Sequence, residues 1–426
     1  MTAEFAVEVF QNEYLPEGAR EVDAIVTVSA SGVSAAPVSS ADIAQVIIVD
    51  CSGSMRYPPA KLNAAKHATV TAIDALRDGV SFAVIEGTDT VRMVYPREAG
   101  LAVASTRTKL EAKRLVRGLT ADGGTAMGRW LALADRVLAG HRGGLKHAIL
   151  LTDGQNQHET PAQLSRTLAS ISGHFTCDCR GVGTDWQVEE LRKVAEAMLG
   201  TVDIIADPQG LADDFRSMTA TAMGKAVGGV SLRLWTPEGS EVRFVKQVSP
   251  TVLDLTGRRT ESGPRTGDYP TGAWGAESRD YHVCVRVKAA GVGDKMLAGR
   301  VSLLTAGGGV LGQGKVLAVW TDDSALSTRI NREVAHYTGQ AELAEVIQDG
   351  LEARKSGDVE TATAKLGRAV ALATSSGNTD TAKLLAKVVD VVDPVTGTVK
   401  LRPKVEDADE MTLDTRSTVT KRVGRA

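Results

Sequence analysis

The feature that most constrains the fold is a pattern repeated between residues 41 and 222. In each repeat a short β-branched apolar run leads through a polar loop into an Ala- and Leu-rich segment with helical spacing. Two of the runs, AQVIIVD at 44–50 and HAILLTD at 147–153, are apolar on both faces and end in aspartate. Runs of this kind are typical of central strands covered by helices on both sides. The pattern therefore predicts an α/β domain with a doubly wound, mostly parallel six-stranded sheet.

The segments on either side of this domain show a different pattern. Residues 1–40 and 225–322 alternate between apolar and polar positions, as antiparallel strands do. Two N-terminal strands cannot form a stable domain alone. We therefore expect them to pair with the later strands in a discontinuous antiparallel β-sandwich, into which the α/β domain of residues 41–222 is inserted.

The remainder of the chain divides into two further predicted segments. Residues 324–392 have helical spacing interrupted by Gly, Asn and Asp, which predicts a bundle of three helices. Residues 393–426 run through basic, acidic and Thr-rich blocks with few large hydrophobic residues. That composition predicts a disordered tail.

Charge and composition exclude several classes of partner. The 426 residues carry 49 Lys plus Arg against 52 Asp plus Glu, a net charge of −3 that gives nucleic acid or an anionic membrane little attraction. The apolar runs are far shorter than the roughly 18 residues needed to cross a bilayer, and the acidic N-terminus does not resemble an export signal. Four cysteines suit a reducing compartment. We expect a cytoplasmic protein.

Five oxygen-bearing side chains fall where the predicted sheet would bring them together. Asp50, Ser52 and Ser54 alternate in DCSGS after one central strand, Asp153 ends another, and Thr125 follows a Gly pair just before a helix. In open α/β sheets, ligands bind outside the carboxyl ends of the strands. Oxygen donors without Cys or His favour Mg²⁺, with Mn²⁺ or Ca²⁺ as alternatives. Such an incomplete cage leaves a position that a partner's Asp or Glu could fill.

In this order and on this alternation of strands and helices, the five residues resemble the metal-ion-dependent adhesion site (MIDAS) of a von Willebrand factor type A (VWA) domain. The resemblance covers residues 41–222 and implies a Rossmann-like fold and a non-enzymatic protein-binding function. It also implies that Ser52, Ser54 and Thr125 ligate the metal directly, whereas Asp50 and Asp153 act largely through water.

Simpler interpretations of the same residues exist. Asp50 and Asp153 could merely cap turns, and Asp122 could either cap the next helix or support the metal ligands from behind. The CDC sequence of Cys177 and Cys179 predicts buried free thiols rather than a strained disulfide. A GxSxG elbow, an HExxH motif and a phosphate-loop Lys are all missing from the sequence, so we expect no enzyme activity.

Two functional alternatives remain open at the level of sequence. VWA domains similar to this one also serve as accessory subunits of AAA+ ATPases in metal insertion or remodelling. An extracellular adhesin would require export. A separate hypothesis concerns four threonines near the C-terminus, which a Ser/Thr kinase could phosphorylate and a phosphothreonine-binding domain could recognise; the alternative is a solvated Thr-rich end. They are Thr412, Thr415, Thr418 and Thr420.

Overall fold

The computed structural model describes residues 4–31 and 39–423. In chain order the strands are β1 (Glu4–Gln11), β2 (Tyr14–Pro16), β3 (Glu21–Ser31), β4 (Ile43–Asp50), β5 (Ser81–Gly87), β6 (Val91–Tyr95), β7 (Ala102–Val103), β8 (Leu145–Thr152), β9 (Thr176–Val182), β10 (Val202–Ile205), β11 (Val227–Trp235), β12 (Glu241–Ser249), β13 (Leu253–Asp254), β14 (Thr260–Gly263), β15 (Thr266–Trp274), β16 (Ser278–Arg286), β17 (Lys295–Leu304), β18 (Val310–Thr321), β19 (Val389–Asp393) and β20 (Thr398–Leu401). The helices are α1 (Ala60–Ala75), α2 (Thr106–Arg117), α3 (Met127–Ala139), α4 (Pro161–Ile171), α5 (Val188–Ala197), α6 (Leu211–Met223), α7 (Ser324–Ser327), α8 (Arg332–Ser356), α9 (Val359–Ser375), α10 (Thr379–Val388) and α11 (Asp407–Arg416).

These elements form two compact units. The first, the α/β unit, contains described residues 39–229 and 272–275. The second, the double-sheet unit, contains described residues 4–31, 230–271 and 276–423.

The α/β unit has a mixed sheet in the order β10-β9-β8-β4-β5-β6, with β7 also paired to β5. The pairs from β10 to β5 are parallel, whereas β6 and β7 run antiparallel to β5. The sheet therefore has seven strands rather than the predicted six. The extra strand, β7, is only two residues long, too short to produce an alternation in the sequence.

Local sequence explains where α4 begins. Thr160 caps α4 reciprocally with Gln163 and is followed by proline, as the sequence predicts.

Trp130 of α3 packs against Gly87 at the end of β5, where a Cβ would overlap the indole, and its Nε1 donates to Thr88 O at 2.6 Å. This contact fixes α3, and with it the loop that precedes α3, beside the carboxyl end of the sheet.

The double-sheet unit contains two larger sheets. One has the order β1-β3-β16-β12-β13 and the other the order β14-β15-β11-β17-β18-β2. N-terminal strand β3 pairs antiparallel with β16, with Val28 opposite Arg279. The N-terminal segment thus completes a sheet whose other strands come from the far side of the α/β unit in the sequence.

The prediction of a disordered tail from residue 393 is wrong for the residues described. The third predicted helix ends at Val388, and β19 then pairs with β20 in a two-stranded sheet before α11 follows. Val399 and Leu413 are buried in one core with α8, α9 and α10. The few large side chains in this segment are therefore enough to order it, because each is placed against an existing apolar surface.

Candidate metal centre

Asp50 ends β4, and both of its carboxylate oxygens are hydrogen-bonded inside the protein. Oδ1 accepts from Ser52 N at 2.7 Å, and Oδ2 accepts from Thr152 Oγ1 at 2.5 Å. The side chain is fully buried. Burial raises the pKa of Asp50 to about 6, although the hydrogen bonds from Ser52 and Thr152 oppose that rise. A neighbouring cation would relieve this penalty.

Ser52 and Ser54 lie in the tight turn after β4, where a 3-10 helix spans Gly53–Arg56. Their hydroxyl oxygens are 2.9 Å apart, and Ser54 Oγ donates to Asp153 Oδ1 at 2.6 Å. Asp153 follows β8, which pairs parallel with β4 and sets Leu151 beside Val49. The parallel register therefore brings these two strand ends together. Asp153 is buried, whereas Ser54 is exposed and leaves the cluster open on one side.

Thr125 reaches the same place from the loop before α3. Backbone hydrogen bonds hold that loop to the turn after β4: Asp122 N donates to Cys51 O, and Gly53 N donates to Gly123 O, both at 2.8 Å. A Cβ built on Gly154 would lie 3.0 Å from Ser54 Oγ and 3.4 Å from Thr125 Oγ1. Both hydroxyls thus face one small space that only a glycine at 154 leaves clear.

The structure therefore brings all five predicted residues to one end of the sheet. Their donor atoms are three hydroxyl and four carboxylate oxygens, a set that suits a hard divalent cation. Among the described residues, no group of three or more His, Cys, Asp or Glu side chains could hold a metal. Any ion held at this cluster would therefore need hydroxyl oxygens beside the two carboxylates, and the residues present fit that requirement.

Asp122 performs neither of the two roles considered for it. Its carboxylate pairs with Arg56 at 3.2 Å, and its side chain is 91% exposed. Helix α3 has Ala126 as its N-cap and receives no side-chain cap. Asp122 therefore points outward and forms a surface ion pair with Arg56.

A buried lysine that the sequence does not predict also lies at the site. Lys61, the second residue of α1, has a side chain only 9% exposed, and its Nζ lies 2.8 Å from Asp153 Oδ2 and 2.7 Å from Asp185 Oδ2. Burial lowers the pKa of Lys61, but hydrogen bonds and charges from the two aspartates outweigh burial and raise it. The side chain is therefore a fixed positive charge. A lysine in a helical segment gives no sequence signal for this position.

His158 and Asn156, which the sequence does not identify, also hold the loop that carries Thr125. His158 brackets Thr125: its Nδ1 accepts from Thr125 N at 3.3 Å, and its backbone N donates to Thr125 O at 3.0 Å. Asn156 Oδ1 accepts from Met127 N at 2.9 Å. The loop after β8 thus carries Asp153 and also holds the loop of Thr125.

Family models match two regions of the chain. A family model described as the von Willebrand factor type A domain matches residues 43–204, and one described as the von Willebrand factor type A C-terminal domain matches residues 371–417. A comparison with curated proteins found no match.

Two of the similar solved structures cover nearly all of this chain, and a third covers less than half of it. A von Willebrand factor type A structure from Catenulispora acidiphila is 55% identical, with a TM-score of 0.94 over 99% of this chain and 98% of that one. The ArnB paralog VWA2 from Sulfolobus acidocaldarius is 16% identical, with a TM-score of 0.59 over 97% of this chain and 98% of that one, and shows the shared fold alone. A mussel byssus matrix protein with a zinc-occupied MIDAS motif matches 44% of this chain at 25% identity and a TM-score of 0.36.

Proposed function

The chain belongs to the von Willebrand factor type A family, and from its oxygen-lined cluster we propose that it is a divalent-metal-dependent protein-binding module. Ser52, Ser54 and Thr125 would hold the metal directly, with Asp50 and Asp153 behind them. The observation that carries the proposal is the hydrogen-bonded row of Ser52, Ser54 and Asp153, which places two hydroxyls and a buried carboxylate in mutual contact.

The chemistry of the ligands explains why a partner carboxylate would bind. Three of the five side chains are neutral, so a bound cation would keep much of its charge and attract a further oxygen anion. Asp50 is held by Ser52 N and Thr152 Oγ1, which fixes its orientation before any ligand arrives. Ser54, on the exposed side, marks where an Asp or Glu of the partner would approach. We propose Mg²⁺ as the ion, with Mn²⁺ or Ca²⁺ able to replace it.

The test is metal titration of a variant that keeps the buried charges in place. Ser52→Ala combined with Ser54→Ala removes two hydroxyl oxygens, whereas Asp153 keeps its ion pair with Lys61 and Asp50 keeps its hydrogen bonds from Ser52 N and Thr152 Oγ1. We expect calorimetry to detect Mg²⁺ or Mn²⁺ uptake by the wild type and at least about tenfold weaker uptake by this variant. Ser170→Ala combined with Ser172→Ala, at exposed positions beyond the site, is the matched control. Equal uptake by all three proteins would refute the proposal.

Partner capture tests whether the bound metal holds a carboxylate of a partner protein. Immobilised protein should retain a specific partner from its own cell extract in Mg²⁺ and release it in chelator, and the partner should lose binding when a single surface Asp or Glu is replaced. An AAA+ ATPase among the partners would identify the accessory-subunit alternative instead. Retention of the same partner in chelator would remove the role of the metal.

Phosphorylation of the C-terminal threonines by a Ser/Thr kinase, followed by recognition by a phosphothreonine-binding domain, remains a narrower proposal. Three of the four hydroxyls donate to backbone carbonyls: Thr412 to Ala408 O, Thr415 to Met411 O and Thr420 to Val248 O. Phosphorylation of any of these would break the hydrogen bond that its hydroxyl donates, so we propose Thr418 as the site. Mass spectrometry of protein from its native cell would test it: we expect phosphate on Thr418, and its absence from Thr418 would refute this site.

Location and the remaining partner classes are also proposals. No helix in the described parts of the chain is both long enough and apolar enough to cross a bilayer. All four cysteines are free and buried, which suits a reducing compartment. We propose a cytoplasmic location, with neither nucleic acid nor membrane as partner. Fractionation that places the protein at the cell surface would favour the adhesin alternative.

A further inference from the structure

Lys61 supplies a positive charge to the same carboxylate that would serve the metal. Asp153 has two oxygens: Oδ1 accepts from Ser54 Oγ at 2.6 Å, and Oδ2 accepts from Lys61 Nζ at 2.8 Å. Asp153 is fully buried and the lysine side chain is 9% exposed, so water screens this pair poorly. The lysine thus neutralises Asp153 when no divalent ion is bound.

The same ammonium also has a second carboxylate within reach. Asp185 Oδ2 lies 2.7 Å from Lys61 Nζ, and the Asp185 side chain is 68% exposed. Asp185 belongs to the turn after β9. That turn is anchored by Trp186, which packs on Gly181 and donates from Nε1 to Gly183 O at 3.0 Å. The turn also contacts the lysine stem, because a Cβ on Gly183 would lie 3.5 Å from Lys61 Cε.

We propose that Lys61 is an internal cation that competes with the divalent metal for Asp153, and that Asp185 is the carboxylate that keeps the ammonium when Asp153 turns to the metal. Two cations on one carboxylate repel each other, whereas an ammonium held by Asp185 remains paired at little cost. The pair would thereby set the metal affinity of the site and link its occupancy to the turn that carries Asp185. This inference rests on the proposed metal dependence.

The two residues should then affect metal affinity in opposite directions. Lys61→Met frees Asp153 from its competitor, so we expect Mg²⁺ to bind about tenfold more tightly. Asp185→Asn leaves the ammonium with Asp153 as its only charged partner, so we expect Mg²⁺ to bind about tenfold more weakly. Lys61→Gln, which can still donate a hydrogen bond without the charge, should also tighten binding. Lys193→Met, at an exposed position in α5, is the control and should leave the affinity unchanged.

Thermal unfolding provides a readout that a purely structural role would not produce. Lys61→Met leaves Asp153 buried without a counter-ion, so we expect a lower melting temperature than wild type in chelator but a larger rise when Mg²⁺ is added. A lysine that only supports the fold would lower the melting temperature equally in both conditions. Asp185→Asn should show a smaller rise than wild type.

The outcomes separate this inference from the proposed function. If the wild type binds neither Mg²⁺ nor Mn²⁺, both fail. If the wild type binds Mg²⁺ but Lys61→Met and Lys61→Gln bind it no more tightly, only the competition is refuted. Equal or tighter binding by Asp185→Asn would likewise refute the role of Asp185.

Discussion

Asp50 and Asp153 lie at the ends of neighbouring strands but have different partners. Asp50 receives only neutral donors, and its burial raises its pKa to about 6. One carboxylate oxygen of Asp153 accepts a hydrogen bond from the Ser54 hydroxyl, and the other accepts one from the Lys61 ammonium. The site therefore holds one carboxylate whose charge is uncompensated and one whose charge is neutralised. We therefore expect a divalent ion between them to gain most from Asp50, and competition at Asp153 to adjust the affinity without abolishing it.

Gly154 provides a direct test of the space that a metal would use. A Cβ there would lie 3.0 Å from Ser54 Oγ, closer than normal contact, and 3.4 Å from Thr125 Oγ1. We therefore expect Gly154→Ala to displace the Ser54 hydroxyl and to weaken Mg²⁺ binding at least about tenfold by calorimetry. Gly100→Ala, with open space around the added methyl, is the control. Unchanged affinity in Gly154→Ala would show that the ion does not use this space.

Asp178 should make the stability of the protein depend on pH. Its Oδ2 lies 2.9 Å from His147 Nε2, and its Oδ1 accepts from Thr201 N at 2.7 Å. Burial acts to raise the pKa of Asp178, but the hydrogen bond and charge of His147 overcome burial and hold the pKa well below its usual range. A carboxyl with a lowered folded-state pKa contributes stability above its unfolded value of about 3.9, and that contribution is lost as the pH falls below it.

Replacing Asp178 by Asn should remove this dependence. We expect urea unfolding of the wild type to lose stability between about pH 5 and about pH 3, and the Asn variant to lose markedly less over the same interval. Asp213→Asn, at a side chain 82% exposed, is the control and should follow the wild-type curve. Parallel curves for wild type and Asp178→Asn would contradict the assignment.

The five oxygen residues of the site were predictable because each follows a strand or loop whose type the sequence reveals. Lys61 was not, because its burial depends on the separate turn that carries Asp185, 124 positions further along the chain. The roles of His158 and Asn156 were not predictable from the sequence either. They act through backbone atoms of Thr125 and Met127, and such contacts leave no pattern of residue types.

At the scale of secondary structure, the hairpin of β19 and β20 is ordered by a close approach to α9. Gly367 of α9 lies against the carbonyl of Gly397, so a Cβ at either position would overlap the opposite backbone. Gly397 also has φ of +73°, a conformation that favours glycine. The two glycines allow the hairpin to pack directly on the helix backbone.

The same substitution at two helical glycines should therefore have opposite effects. Gly367→Ala forces a methyl into the hairpin, and we expect it to lower the free energy of unfolding by about 1–3 kcal/mol. Gly339→Ala, in α8 with open space around it, should raise that free energy by up to about 1 kcal/mol through helix propensity. Denaturant unfolding measures both, and a neutral Gly367→Ala would show that the hairpin moves away without cost.

Elements with strong periodicity were the ones the sequence predicted. The capped start of α4 and the two-sided apolar strands β4 and β8 agree with the structure. Composition was misleading for residues 393–423, where α11 has a polar sequence with three acidic residues in its first turn. That helix is held by the buried Leu413 and by ion pairs such as Glu410 with Arg354 and Asp409 with Lys387, and neither leaves a periodic pattern in the sequence.

At the scale of the double-sheet unit, both ends of the described chain meet strands that are distant in sequence. Strand β3 pairs with β16, more than 200 positions away, and the segment 418–422 runs beside β12 and β13. Val252 N donates to Thr418 O at 2.8 Å, and Thr420 N donates to Pro250 O at 2.9 Å. Local pattern cannot reveal such pairings, because each partner strand is compatible with many others.

Asp280 joins these distant segments in one buried network. Its carboxylate accepts from Thr27 Oγ1 and Tyr337 Oη, each at 2.6 Å, and from the Arg422 guanidinium at 2.9 and 3.0 Å. The side chain is 2% exposed. The donors come from β3, α8 and the C-terminal segment, so the carboxylate ties together the first strands, the helices and the end of the described chain.

Arg422 supplies the only full positive charge among these donors to Asp280, and its replacement should loosen the whole unit. We expect Arg422→Met to lower the free energy of unfolding by about 1–3 kcal/mol, less than for a wholly buried pair because the arginine is 42% exposed. Hydrogen exchange should quicken at Thr420 and Val252 and along β16, since all depend on the same anchor. Lys421→Met, which breaks an exposed pair with Asp380 and an exposed hydrogen bond to Thr379 Oγ1, should cost under about 1 kcal/mol. If the two variants behaved alike, the ordering of this segment would have to come from its backbone pairing, and the buried carboxylate would be sufficiently satisfied by its two hydroxyl donors.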